Sequence, residues 1–149
     1  MTTPDLLGGN RFRVLRSAGG SPETFTFVCI AQSKTLTQTN SFEDATVPDC
    51  DTPLAIPNRK SILSSRGWGG RLAGVADAKR FQDLQADANS ESPHRYQFLI
   101  DKPLAQGGGT YTGAVFFENL ELTSQNNGLV NFTAQFRGDD GLTWTPAAQ

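Results

Sequence analysis

The alternation of apolar and polar residues between Thr112 and Arg137 constrains this chain more than any other part of its sequence. From 114 to 122 and from 130 to 136 the even-numbered positions are apolar, with Glu118 as the exception: Ala114, Phe116, Leu120, Leu122, Val130, Phe132, Ala134 and Phe136. A period of two with one apolar face predicts a half-buried antiparallel hairpin. The dry face of such a hairpin needs a second layer, which the rest of the chain must supply.

The parity of these positions also predicts the register of the hairpin. Residues that lie opposite each other in an antiparallel pair share a face, so Leu122 is expected opposite Phe132. A two-residue turn would shift the register by one position and turn half the apolar residues into water. A three-residue loop, 126–128, closed by Gln125 opposite Leu129, keeps the register and places its glycine at positive φ.

The remaining sequence predicts a mainly β fold. The chain has 149 residues, the length of one domain, and its 15 glycines and 8 prolines favour strands and turns. Asp77 is expected to cap a helix, 78–88, which stops at Asn89-Ser90-Glu91-Ser92-Pro93. Many strands, one helix and no βαβ repeat predict a single domain, 1–149. Its fold is a β-sandwich or partly open barrel of antiparallel strands with one flanking α-helix, about 77–88.

Three segments have sequence features that are typical of surfaces in contact with a partner. Residues 1–9 end in two glycines and are predicted to form a flexible N-terminal arm that orders only on a partner. Residues 33–41 are prone to β structure yet almost wholly polar, which is unusual for a strand in a solitary domain. Residues 42–57 contain three prolines and four acids, so neither a helix nor a central strand is expected. We interpret this segment as a long interaction loop.

Charge and hydropathy exclude several classes of protein. The net charge of -2 and the pI near 5.3 argue against a protein that grips nucleic acid by its phosphates. The chain lacks a run of about 20 apolar residues that would cross a bilayer. The first residues do not combine a basic region with an apolar core, so we expect no secretory signal and an intracellular origin.

No catalytic or metal-binding constellation emerges from the sequence. His94 is the one histidine, without a second ligand at zinc spacing, and is expected to be an exposed residue at a strand edge. Cys29 lies in an apolar run and is predicted to be a core residue, whereas Cys50 lies in an acidic loop. A reducing cytosol disfavours a disulfide between them. We therefore expect no enzyme activity and no cofactor.

The order of several segments resembles the tail tube proteins of long-tailed bacteriophages and the related gene transfer agents. The resemblance covers nearly the whole chain, and three motifs carry it: 22–28 leading to 33–37, 68–77 leading into the helix, and 128–133 followed by Gly141-Leu142-Thr143. Residues 42–57 depart from the family, because the prolines obscure its usual Val-Asp-Val-Thr pattern.

The resemblance implies a structural subunit. In that family, sixfold rings stack into a hollow tube through which DNA leaves the virion, and each subunit gives strands to a barrel around the lumen. It implies assembly in the host cytoplasm, self-association, and tail terminator, tape measure and distal tail proteins as partners. DNA would pass without specific binding, so a neutral to acidic lumen is expected.

Two sets of site residues follow from these considerations. The candidate inter-ring residues are the four acids of the long loop: Glu43, Asp44, Asp49 and Asp51. The candidate lumen residues form the polar face of the hairpin: Asn119, Glu121, Thr123, Asn131, Thr133 and Gln135. The competing interpretation of that face is the outer wall of the assembly.

Two other functions remain open at this point. A small carbohydrate-binding β-sandwich would need an exposed aromatic platform, and the sequence offers only Trp68, Trp144, Tyr96 and Tyr111 for it. Trp68 and Trp144 are expected to be packing residues. A small hydrolase is opposed by the missing catalytic residues.

Overall fold

The computed structural model describes residues 3–124 and 126–148. Its elements are β1 (Phe12–Gly19), β2 (Thr24–Phe27), β3 (Ala31–Asp44), β4 (Ser61–Val75), α1 (Ala78–Ala88), β5 (His94–Ile100), β6 (Gly109–Thr123) and β7 (Asn131–Pro146). The strands form one antiparallel sheet of seven in the order β2-β1-β5-β6-β7-β4-β3. The predicted mainly β fold with one flanking helix is confirmed for the described residues.

The hydrophobic core lies between α1 and one face of the sheet. Its most deeply buried side chains come from five elements: Val14, Leu72, Leu84, Tyr96, Phe98 and Phe132. Phe81 of α1 packs edge-on against Phe132 of β7, with ring centroids 6.2 Å apart. The helix therefore supplies the second layer that the long hairpin requires.

Trp68 of β4 packs between β5 and β7 in the core. Its ring packs edge-on against Phe98 and Phe136, with centroids 6.0 Å and 6.3 Å away, and its indole N–H donates to the carbonyl of Asp140 at 2.7 Å. A methyl group at Gly113 or Gly138 would overlap the indole. These two glycines are therefore needed for close packing against the tryptophan.

The predicted register of the long hairpin is confirmed for residues 119–123 of β6. Leu122 lies opposite Phe132, and Leu120 lies opposite Ala134. The closing pair that involves Gln125 lies outside the described residues. Near Glu118 the strand β6 contains a bulge, between Phe117 and Asn119, which shifts the phase of the alternation.

Because of this bulge, the prediction of which β6 residues face the core is wrong before Glu118. Before Glu118 the core-facing residues of β6 are the odd-numbered Val115, which is buried, and Phe117, which packs against the core. The prediction had placed Ala114 and Phe116 there. An extra residue in one strand reverses the faces of everything beyond it, and a run that is apolar on both faces gives no sign of the reversal.

The start of the predicted long loop is also wrong. Residues 42–44 belong to β3, where they pair with Leu63, Ile62 and Ser61 of β4, so the loop spans 45–60. The strand was missed because this end of the β3–β4 hairpin is exposed on both faces, so burial imposes no period of two. Residues 141–145 belong to the end of β7 and form no separate strand.

Two single-residue predictions are wrong as well. Cys29 is exposed, because β2 ends at Phe27 and the chain turns before β3 begins. His94 is partly buried rather than exposed, and its strand β5 lies between β1 and β6 instead of at an edge. Both predictions rested on neighbours in sequence, whereas the exposure of Cys29 depends on where β2 ends and that of His94 on the strand order.

The helix agrees with its prediction. Asp77 caps α1 by accepting a hydrogen bond from the amide of Lys79 at 3.0 Å. Hydrogen bonds from Arg80 and from that amide lower the pKa of the Asp77 carboxyl. Within the described residues, no helix is both long and apolar enough to span a bilayer.

Candidate assembly surfaces

The six candidate lumen residues lie together on one face of the sheet. They form three consecutive cross-strand pairs between β6 and β7: Asn119 with Gln135, Glu121 with Thr133, and Thr123 with Asn131. Their neighbours along β6 and β7, such as Leu120 and Phe132, point to the opposite face, which α1 covers. The structure therefore brings all six together on the side away from the helix.

This polar face continues across β4 and β3. Arg71 pairs with Gln135 on one side and with Thr35 on the other, and Ala73 pairs with Thr133 and Ser33. We use the term polar face for the six hairpin residues together with Arg71, Thr35 and Ser33. Of these nine residues Glu121 and Arg71 carry charges, so the face has no net charge.

The outer half of the β3–β4 hairpin leaves the rest of the sheet. β4 pairs with β7 only as far as Gly69, opposite Arg137, whereas β3 and β4 stay paired up to Asp44 and Ser61. We call residues 38–67 the arm. Its large apolar side chains are exposed: Phe42, Val47, Leu54, Ile56, Ile62 and Leu63. Apolar surface concentrated on a protruding hairpin is typical of a surface that another chain covers.

The four acids of the predicted inter-ring loop fall on two parts of the arm. Glu43 and Asp44 lie on β3, whereas Asp49 and Asp51 lie on the loop. The Asp49 carboxylate accepts hydrogen bonds from the amides of Asp51 and Thr52, at 2.8 Å and 3.4 Å, which lowers its pKa. The loop is therefore internally ordered around Asp49, and its carboxylates face water.

The chemistry of the described residues gives no support to an enzyme or a sugar-binding module. No group of three His, Cys, Asp or Glu side chains among them is placed to hold a metal ion. Trp68 and Tyr96 are buried in the core. Trp144 packs against Tyr111, with centroids 4.6 Å apart, although it is 40% exposed. The two rings are inclined by 50°, so they do not form a flat platform for a sugar ring.

Solved structures share this arrangement of strands and helix. The tail of an empty gene transfer agent particle, with C6 symmetry, matches at a TM-score of 0.74 and 13% identity, over 94% of this chain and 99% of that one. The SPP1 tail tube matches at 0.62 and 13% identity, over 97% and 81%. The chain has the tail tube fold. No protein-family model and no curated protein matches the sequence.

Relatives of the tail tube fold include a protein that ends a tube. A sheath/tube terminator of an extracellular contractile injection system matches at a TM-score of 0.64 and 10% identity, over 97% of this chain and 99% of that one. The fold alone therefore does not separate a subunit that builds a tube from one that closes it.

Sequence reasoning missed a buried charged cluster that fixes the helix in this tail tube fold. Asp87 of α1 accepts two hydrogen bonds from the Arg16 guanidinium, at 2.7 Å and 2.8 Å, and one from the Tyr96 hydroxyl at 2.5 Å. His94 lies beside the same carboxylate at 3.4 Å, and its other ring nitrogen is 2.8 Å from the carbonyl of Ser17.

The electrostatics of this cluster are those of a structural clamp. The hydrogen bonds to Asp87 raise the pKa of Arg16 above its usual value. Burial, reinforced by the negative charge of Asp87, raises the pKa of Tyr96 as well. Arg16 thus stays charged and Tyr96 stays protonated, which is the state that holds α1 on the sheet. One signal in the sequence could have revealed the clamp. Asp87 follows Phe81 and Leu84 at a spacing of three residues, which places an acid on the buried face of the helix.

Proposed function

We propose that this chain is a non-enzymatic structural subunit of a phage-type tail tube. Copies form sixfold rings that stack into a hollow tube, located in the tail of a virion and assembled in the host cytoplasm. The observation that carries the proposal is the arm, because a solitary domain has no use for a stiff hairpin with exposed apolar side chains. The shared fold and the C6 symmetry of one neighbour support sixfold rings.

Within this tube the polar face lines the lumen. It is polar, uncharged overall and continuous over four strands, which suits a wall past which DNA must slide. A wall without excess positive charge does not release counterions from the phosphates, so it does not retain the DNA. The tube ends on a terminator at one side and on distal tail proteins at the other, and it encloses a tape measure protein.

Assembly of the purified protein tests the stacking function. We expect rings and rods by negative-stain electron microscopy as concentration rises. The matched variant replaces residues 46–59 by Asn-Gly, because the amide of Ala45 already donates to the carbonyl of Lys60 at 2.9 Å and a two-residue turn can close the hairpin there. This variant should keep its β circular dichroism and form no rods. Rings that never stack in the unmodified protein would identify a terminator instead.

Charge reversal on the polar face tests the lumen. Glu121→Lys with Asn131→Lys adds positive charge to the wall, so DNA release from particles with this tube should slow while the tubes stay intact. The matched control is Glu91→Lys with Asn89→Lys, the same exchange at exposed residues beside the end of α1. Normal release with the polar-face variant would place that face on the outer wall.

A further inference from the structure

The tip of the arm carries an uncharged apolar projection. Residues 53–57, which we call the knob, contain no charged side chain, and Leu54 and Ile56 are 99% and 95% exposed. A turn in which the amide of Ala55 donates to the carbonyl of Thr52, at 3.0 Å, holds Leu54 at its corner. Because the loop is already folded, little conformational entropy is lost when the knob is buried.

An apolar groove lies beside the tip of the β6–β7 hairpin and the first turns of α1. It has a volume of about 320 Å³ and is lined by Ala76, Ala78, Phe81, Gln82, Gln85, Leu122 and Val130. The lining contains no charged residue. Leu122 is 54% exposed and Val130 is 39% exposed, although both belong to the apolar face of the hairpin.

The knob cannot reach the groove of its own chain. The knob follows the end of the β3–β4 hairpin at Asp44 and Ser61, whereas the groove adjoins the other end of β4, at Val75 and Ala76. A strand rises about 3.3 Å per residue, so the 15 residues of β4 separate the two by about 50 Å. β3 is paired with β4 along this length, which makes the hairpin a stiff spacer.

The two acids before the knob and one lysine beside the groove have opposite charges, although Arg59 and Lys60 follow the knob and Asp77 and Asp83 lie near the groove. Asp49 and Asp51 precede the knob and have no ion-pair partner among the described residues. Lys79 adjoins the groove, is exposed and is likewise without an ion pair in the described part of the chain. The N-terminal end of α1 adds positive potential at the same place.

We propose that the knob of one copy docks into the groove of a second copy, and that this contact joins successive rings. The inference rests on the proposed stacking and names the receptor for the arm. Leu54 and Ile56 cover Leu122, Val130 and Phe81, while the acids before the knob approach Lys79. Because knob and groove lie at opposite ends of the subunit, the contact is head to tail and repeats without closing.

Cysteine cross-linking tests the contact directly. In a background with Cys29→Ser and Cys50→Ser, which removes the two native exposed thiols, we combine Leu54→Cys with Leu122→Cys. Oxidation of assembled protein should give a ladder of disulfide-linked multimers on non-reducing gels. The control combines Leu54→Cys with Leu104→Cys, an exposed leucine at the opposite end of β6 from Leu122 and so at the knob's own end. It should give no ladder.

A substitution separates docking from folding. Ile56→Asp places a charge on a side chain that touches little of its own subunit, so the subunit stays folded. The critical concentration for rods should rise at least about tenfold, because a buried aliphatic contact is lost. Leu104→Asp should change it less than about twofold.

Three outcomes would count against these statements in different ways. Rods that form normally with Ile56→Asp would overturn the docking and leave the tube proposal standing. A disulfide ladder from the variant with Leu104→Cys, and none from the variant with Leu122→Cys, would likewise overturn the docking and leave the tube proposal standing. Unmodified protein that forms neither rings nor rods at any concentration would defeat the proposed function, and the docking with it.

Discussion

The two ends of strand β4 differ in how completely the chain surrounds them. Trp68 and Leu72 are buried against β5, β6, β7 and their glycines, whereas Ile62, six residues before Trp68 on the same strand, is 60% exposed. The region around Trp68 and Leu72 satisfies its apolar and charged groups with atoms of the same chain, including those of the Asp87 clamp. The arm does not, although it is equally regular in hydrogen bonding. This regular backbone pairing without side-chain burial is the reason for our proposal that a second copy covers the arm.

The strongest test of this contrast compares two apolar residues on β4. Trp68→Ala removes a buried indole and leaves a cavity between glycines, so we expect the free energy of unfolding to fall by about 3–5 kcal/mol. Ile62→Ala should change it by less than about 0.5 kcal/mol, because the side chain is exposed. Urea unfolding of the unassembled subunit measures both. Equal losses would show that the arm is part of the subunit core.

The next effect concerns the clamp. Asp87→Ala leaves the Arg16 guanidinium and the Tyr96 hydroxyl without their common acceptor, and we expect a loss of about 3 kcal/mol. Asp83→Ala, an exposed aspartate on the same helix, is the matched control and should be nearly neutral. Thermal unfolding followed by circular dichroism compares the two. A neutral Asp87→Ala would mean that apolar packing alone holds α1 in place.

A smaller effect tests the turn of the long hairpin. The three-residue loop predicted from the sequence gives Gly128 a positive φ, so on that prediction Gly128→Val should destabilise the subunit by about 1 kcal/mol. Gly128→Asn should be tolerated, because asparagine adopts that conformation more readily. Chemical denaturation measures the difference. Valine and asparagine variants of equal stability would contradict the predicted turn.

The smallest effect is pH-dependent and lies at the helix cap. The pKa of Asp77 is lowered in the folded chain, first by Arg80 and then by the amide of Lys79. Ionised Asp77 therefore stabilises the fold fully above the unfolded pKa of about 3.9, and this stabilisation is lost as pH falls through the folded value. Asp77→Ala should lower the melting temperature at neutral pH, and its difference from the unmodified protein should narrow as the pH falls below the unfolded pKa and through the lower folded one. Asp77→Asn retains an acceptor oxygen and should lose less at neutral pH. A gap between Asp77→Ala and the unmodified protein that does not narrow on acidification would contradict this account.

The sequence by itself determined the local features of this protein. The limits of α1, its cap at Asp77 and the pairing of Leu122 with Phe132 all follow from patterns within about a dozen residues, where backbone geometry and a single buried face suffice. The six hairpin residues of the polar face were identified for the same reason, because alternation along two adjacent strands fixes which side chains share a face.

Only the tertiary structure decided which groups meet across the chain. Asp87 and Arg16 are 71 positions apart, and Trp68 and Gly138 are 70 apart, so no local period could join them. The bulge at Glu118 and the extension of β3 to Asp44 were hidden because both faces at those points have the same character, apolar in one case and exposed in the other. A period reports burial only where the two faces differ. Where they are alike, strand order and long-range packing determine the structure.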